Sequence, residues 1–104
     1  MANRMPEIKL LQQARDDFAN LDQSQREPIN KALEKLKTSP EKRGESLSGN
    51  LSGWRKLVVG KRSIRIIFQY DPQTDVVWIS TIGARRDGEV YRIAASRIDN
   101  PGES

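Results

Sequence analysis

The stretch Arg55-Lys-Leu-Val-Val-Gly-Lys-Arg-Ser-Ile-Arg-Ile-Ile-Phe-Gln-Tyr70, followed by Asp71-Pro-Gln-Thr-Asp75 and then Val76-Val-Trp-Ile-Ser-Thr-Ile82, decides the fold. It is dense in β-branched and aromatic residues and broken twice by turn formers. That pattern predicts three strands, Arg55–Gly60, Ser63–Tyr70 and Val76–Ile82, joined by a tight hairpin at Gly60-Lys-Arg and a longer one at Asp71–Asp75. In the middle strand Ile64, Ile66, Phe68 and Tyr70 share one face, and Arg65, Ile67 and Gln69 share the other. A strand apolar on nearly every residue is buried on both faces over part of its length. The sheet therefore needs cover on both sides.

The cover on one side lies upstream. Pro6–Leu10 reads as a short strand. After it the period changes: Leu11, Ala14, Phe18 and Leu21 fall on one helical face. Asp22-Gln-Ser breaks this helix, and Ser24-Gln-Arg-Glu27 has the capping-box pattern for a second one. Pro28 offers another start, with Pro28 as the first helical residue and Glu27 outside. Ile29, Ala32, Leu33 and Leu36 then repeat at helical spacing until Thr38-Ser-Pro40. Two helices joined by so few residues form an antiparallel hairpin. Pro40–Gly53 is polar and reads as a loop. It is long enough to carry function, or it is a plain crossover with Leu47 and Leu51 pinned to the core. Downstream, Gly83–Gly88 is a loop with Arg85, Arg86 and Asp87, and Glu89–Ile98 is a short helix.

The predicted order is β-α-α-β-β-β-α. The fold class is α+β: a small antiparallel β-sheet with the helical hairpin on one face and a short C-terminal helix. Residues 1–98 read as a single domain, as 104 residues suggest, and 99–104 as a frayed tail. No apolar run approaches a membrane span, and the N-terminus has no apolar leader, so the expected location is cytoplasmic with no membrane partner.

Two absences narrow the chemistry. There is no cysteine and no histidine. Disulfides, thiolate nucleophiles, cysteine zinc sites and histidine acid–base pairs are excluded, and no cofactor is expected. The net charge is +4, unevenly spread: residues 1–50 hold 9 basic and 8 acidic side chains, residues 51–98 hold 9 and 4. Such an excess suits phosphate or an acidic protein partner. Arg55, Lys56, Lys61, Arg62 and Arg65 lie on or between two adjacent strands, and Arg85 and Arg86 follow the third. Arg65 is the sharpest case. Set inside Ile64-Arg-Ile-Ile-Phe68, it must meet a carboxylate, face a polar cleft or lie at an edge. A guanidinium fork suits phosphate and a phosphoryl transition state. Tyr91 is placed to stack on a base or move a proton, or to pack as an amphipathic core residue. Glu45 lies in the polar loop, and Trp54 and Trp78 read as sheet-packing residues.

Several segments together resemble the RelE/ParE superfamily of bacterial toxin–antitoxin toxins. They are Leu51-Ser-Gly-Trp54, Arg65-Ile-Ile-Phe-Gln, Ile82-Gly-Ala-Arg85-Arg-Asp-Gly-Glu-Val-Tyr91 and Arg97-Ile98. The resemblance runs from Pro6 to Ile98. It implies either cleavage of mRNA in the ribosomal A site, as in RelE-type toxins, or gyrase inhibition, as in ParE-type toxins on the same fold. A relative that binds its antitoxin but is no longer toxic is the third reading. Lys56, Arg65, Arg85 and Tyr91 match the RelE-branch positions. Glu45-Ser-Leu-Ser-Gly-Asn-Leu-Ser-Gly53 looks like the loop of the YoeB branch, whose matching glutamate is the proposed general base. Val58 stands where many RelE-type proteins carry a second basic residue, and the C-terminal histidine of the YoeB branch is missing.

The resemblance implies a metal-independent ribonuclease. Arg65 and Arg85 would clamp the transition state, Lys56 would assist electrostatically, and Glu45 or Tyr91 would take the 2′-proton. Arg55, Lys61, Arg62 and Arg86 would bind RNA. It also implies a cognate antitoxin, the ribosome with its mRNA, and operator DNA reached through the antitoxin as partners.

Overall fold

The computed structural model describes residues 5–60, 64–83 and 87–99. The strands are β1 (Glu7–Leu10), β2 (Glu45–Ser46), β3 (Arg55–Val59), β4 (Ile64–Asp71) and β5 (Val76–Gly83). The helices are α1 (Gln12–Ala19), α2 (Gln23–Lys35) and α3 (Asp87–Asp99). The three expected strands of the meander are β3, β4 and β5, paired antiparallel in the order written. No helix among the described residues is long and apolar enough to cross a membrane.

Two features of the sheet and its crossover differ from the sequence reading, and α3 begins at Asp87, two residues before the expected Glu89. Pro40–Gly53 is a structured crossover. Single 3₁₀ turns at Pro40–Lys42 and Gly49–Leu51 flank β2, which pairs antiparallel with β3. And the five-stranded sheet, ordered β1-β5-β4-β3-β2, is mixed, because β1 runs parallel to β5. The two differences have one cause. Helix, helix and β2 between β1 and β3 make an odd number of passes, so β3, and after two more reversals β5, runs with β1.

The start of α2 also moves. Asp22 is the N-cap: its Oδ1 accepts from the Gln25 N–H at 3.0 Å, and Gln25 Oε1 accepts from the Asp22 N–H at 3.2 Å. The capping box thus begins at Asp22, not Ser24, because Asp caps as well as Ser and Gln serves at the third position. Ser24 Oγ donates to Asp22 Oδ1 at 2.7 Å, and this bond, ahead of the Gln25 bond, lowers the Asp22 pKa. Pro28 lies inside the helix. With no N–H, it cannot serve the Ser24 carbonyl.

The main core fills the space between sheet and helical hairpin. Ile64, Ile66 and Phe68 of β4 and Val77, Ile79 and Ile82 of β5 meet Ala14 of α1 and Ile29, Ala32 and Leu36 from α2 and its C-cap. The alternation in β5 shifts midway: Ile79 and Ile82 face the same core. A bulge makes this possible. Ile67 pairs with Thr81 and Phe68 with Ile79, which leaves Ser80 unmatched. On the opposite face Ile67, fully buried, packs with Leu51, Val90 and Ala94, and with Trp54 and Tyr91 partly buried beside them. The sheet is thus covered on both sides, as β4 requires, and Leu47 and Leu51 are pinned to this second cluster.

Candidate functional site

The face of the sheet under α3 gathers the charged groups. Lys56 lies opposite Ile67, and Arg65 lies opposite Val58 on one side and Gly83 on the other. Lys56 and Arg65 are therefore diagonal neighbours on the face that carries Ile67. Arg65 is half-buried. β2 sets Glu45 opposite Lys56, and Glu45 Oε1 lies 3.4 Å from Lys56 Nζ. The lysine side chain is 13% exposed and the glutamate 76%, so the carboxylate reaches solvent while the ammonium stays under the helix. From above, α3 brings the Tyr91 ring over the same ammonium, 5.9 Å from ring centroid to Nζ, within the range of a cation–π contact. One lysine thus holds a carboxylate on one side and a phenol on the other. Beside them a groove of about 260 Å³ opens between Ser48, Asn50 and Leu51 and the Tyr91, Arg92 and Ala95 face of α3.

A backbone device holds β2 in register. Gly44 adopts φ +67°, and a Cβ there would sit 2.1 Å from the Lys56 carbonyl oxygen. Only glycine allows the chain to approach β3 so closely. Arg55 completes the anchor. Its Nε donates to the Arg43 carbonyl at 2.6 Å, one Nη to the Gly44 carbonyl at 3.1 Å and the other to Ser46 Oγ at 2.8 Å. As Lys56 faces α3, Arg55 and Leu57 face the other way. The structure therefore separates Arg55 from the group around Lys56 and engages its guanidinium in the crossover. A larger groove of about 510 Å³ lies by Arg55, Trp54 and Tyr70, away from Lys56 and Tyr91. Lys61, Arg62, Arg85 and Arg86 lie outside the described residues. Trp78 lies on the sheet with the Lys9 ammonium 5.6 Å from its ring, and Trp54 packs in the second cluster.

One constellation escaped the sequence reading. Arg97 Nη1 and Nη2 bind Asp17 Oδ2 and Oδ1 at 2.7 and 3.1 Å, joining α3 to α1. The partners lie 80 residues apart, and no local pattern marks them as a pair. Among the described residues no three His, Cys, Asp or Glu side chains are grouped to hold a metal ion.

Known structures share this architecture. A double arginine-to-alanine mutant of the Escherichia coli toxin RelE, in the free state, aligns with a TM-score of 0.76 over 91% of this chain and 99% of its own, at 23% identity. The chain has the RelE/ParE toxin fold. A chain of the RelBE2 toxin–antitoxin complex from Mycobacterium tuberculosis aligns with a TM-score of 0.71, over 79% of this chain and 100% of its own, at 20% identity. A chain of the chromosomal ParDE system from Pseudomonas aeruginosa shares the same fold more distantly, with a TM-score of 0.60 over 79% of this chain and 98% of its own, at 14% identity. No protein-family model matches the sequence, and neither does any curated protein. In this RelE-like chain the group of Glu45, Lys56, Arg65 and Tyr91 is assembled by β2, β3, β4 and α3 respectively.

Proposed function

We propose that this protein is the toxin of a type II toxin–antitoxin pair and a ribosome-dependent mRNA endoribonuclease of the cytoplasm. The observation that carries the reading is the Lys56 ammonium held between the Glu45 carboxylate and the Tyr91 ring, with Arg65 diagonal to it on the same face. A phosphodiester seated there meets two cations, a base and a phenol.

In the reaction Glu45, or Tyr91 as phenolate, removes the 2′-hydroxyl proton. The 2′-oxygen bonds to the adjacent phosphorus, and the 5′-oxygen leaves with a proton from Tyr91 or a neighbouring cation. A 2′,3′-cyclic phosphate and a free 5′-hydroxyl result. Arg65, with Arg85, stabilises the charge that develops on the phosphorane oxygens, and Lys56 adds to that field. Both groups act on a substrate held in position. The ribosome supplies that hold. The same basic half of the chain suits an acidic antitoxin segment, through which operator DNA is reached. Solved relatives of this fold include toxin–antitoxin complexes from bacteria and an archaeal RelE–RelB complex.

Primer extension on mRNA from cells induced to express the chain tests the reading. Cuts at codon positions, on translated messages only, are expected. A DNA-damage response with intact messages would point to gyrase inhibition, and normal growth to a relative without toxicity. Cleavage of free RNA only with added Mg²⁺ would overturn the mechanism, as would full ribosomal activity in an Arg85→Ala, Tyr91→Phe double variant.

A further inference from the structure

The edge of β5 loses its strand partner where β1 turns into α1. The last backbone bond between them runs from the Leu11 N–H to the Ile79 carbonyl at 2.9 Å. Beyond it lies the bulge, and two backbone groups there find side chains instead. The Ser80 carbonyl accepts from Arg97 Nη1 at 2.8 Å, and the Ile82 N–H donates to Asp17 Oδ2 at 3.0 Å. These two side chains are bonded to each other through both oxygens and both terminal nitrogens. The ion pair thus offers β5 one donor and one acceptor, as a further residue of β1 would. It is four-fifths buried on both sides, and the fork geometry is the strong kind.

Both elements it holds carry the proposed site. Ile82 precedes Gly83, the partner of Arg65 across the sheet. Arg97 lies six residues after Tyr91, roughly 9 Å along the axis of α3. Near its start α3 rests on β5 through Val90, whose Cγ2 lies 3.3 Å from the Cβ that an alanine at Gly83 would have. Near its end the Asp17–Arg97 ion pair anchors it.

We infer that Asp17 is a positioning residue: through Arg97 and Ile82 it sets where α3 holds Tyr91 over Lys56 and where β5 ends beside Arg65. The inference rests on the proposed nuclease site for its functional consequence. Asp17 bonds to Arg97 and to the Ile82 N–H and takes no part in the proposed proton transfers. Among the described side chains of α3 none belongs to the main core, and Val90 and Ala94 sit in the second cluster, so the main core is expected to stand without the pair while α3 swings on those two contacts. A displacement near 1 Å at a reacting group costs about a hundredfold in rate.

The chain has two tyrosines, Tyr70 and Tyr91, which makes ¹⁹F NMR of 3-fluorotyrosine-labelled protein a direct readout. In Asp17→Asn the Tyr91 resonance is expected to shift or broaden and the Tyr70 resonance to stay. Single-turnover cleavage on programmed ribosomes, at saturating protein, should fall about tenfold to a hundredfold with ribosome affinity unchanged. Arg97→Lys keeps the charge but loses the fork, and should show the same two defects. A folded Asp17→Asn or Arg97→Lys protein with a wild-type Tyr91 resonance overturns the inference, and so does a loss confined to ribosome affinity. Unfolding of both variants overturns it too, because the main core is required to stand without the pair. If the wild-type chain cleaves nothing on ribosomes, the nuclease reading fails, and the fluorine spectra alone decide the positioning.

Discussion

Replacing Gly44 by alanine tests whether the short β2 is what presents Glu45 to Lys56. Gly44 and Gly49 both adopt positive φ, +67° and +63°, and both lie in the crossover between α2 and β3. An L residue in that region is disfavoured by about 1–2 kcal/mol, offset by roughly 0.4–1 kcal/mol from the stiffer unfolded chain. Gly49→Ala, with nothing within 4 Å of its new Cβ, should show only this difference, about 1 kcal/mol. At Gly44 the Cβ would lie 2.1 Å from the Lys56 carbonyl oxygen, a backbone atom that no rotamer change can move. Ordinary C···O contact requires the strands to part by roughly 1 Å. That separation breaks the two-residue β2–β3 pairing and draws the Arg43 and Gly44 carbonyls away from Arg55. Losing about one charge-assisted hydrogen bond adds roughly 1.5–3 kcal/mol, so Gly44→Ala should cost about 2–4 kcal/mol in all. Urea unfolding of the two variants beside wild type measures the difference. Primer extension should show cleavage lost in Gly44→Ala and kept in Gly49→Ala. Equal stability loss and equal activity in the two variants would refute the reasoning, because only the clash separates them.

Lys56→Met removes the ammonium from between Glu45 and Tyr91; stability should change by less than about 1 kcal/mol, as for an exposed-carboxylate pair, while the ribosomal cleavage rate should fall at least about tenfold. Tyr70 donates to Asp75 Oδ1 at 2.7 Å, and this bond, then desolvation and nearby carboxylates, raises its pKa above 10.0. Because the folded state favours the neutral phenol, its contribution is fully present below pH 10 and fades as pH rises through the raised pKa; the stability gap between wild type and Tyr70→Phe, followed by urea unfolding against pH, should close on the alkaline side only. Pro28→Ala restores a donor for the Ser24 carbonyl inside α2 and should raise the unfolding free energy by about 1–2 kcal/mol in the same assay.

The meander was legible because β4 is apolar on both faces, and the faces of Ile64–Tyr70 could be assigned from a period of two. The helical hairpin was legible from Ala14, Phe18, Ile29 and Ala32. The parallel pairing of β1 was not, because strand direction depends on how often the chain reverses between Leu10 and Arg55, and two-residue β2 has no hydrophobic period to reveal it. The bulge at Ser80 is likewise invisible: Ile79 and Ile82 look like opposite faces until one residue is taken out of register. For the site, residue type pointed to Glu45, Lys56, Arg65 and Tyr91, while Arg55 shows the limit of that approach. Its charge resembles its neighbour's, yet the alternation of β3 turns it to the other face. Asp17 and Arg97 lay beyond reach, since nothing local marks two charged residues on different amphipathic helices as partners.

The pairing of Glu7 with Val76 and of Leu10 with Ile79 joins the first of the described strands to the last. A ribosome makes β1 first, at about 5–20 residues per second, yet β1 has nothing to pair with until β5 has emerged. The second cluster waits longer still, for Val90 and Ala94. Local contacts within the helical hairpin and the β3–β4 turn form while synthesis is under way, and the most non-local ones close last. Folding of this unit is thereby timed to the emergence of α3. The face that carries Lys56, Arg65 and Tyr91 comes into being only when α3 has followed the sheet out of the ribosome.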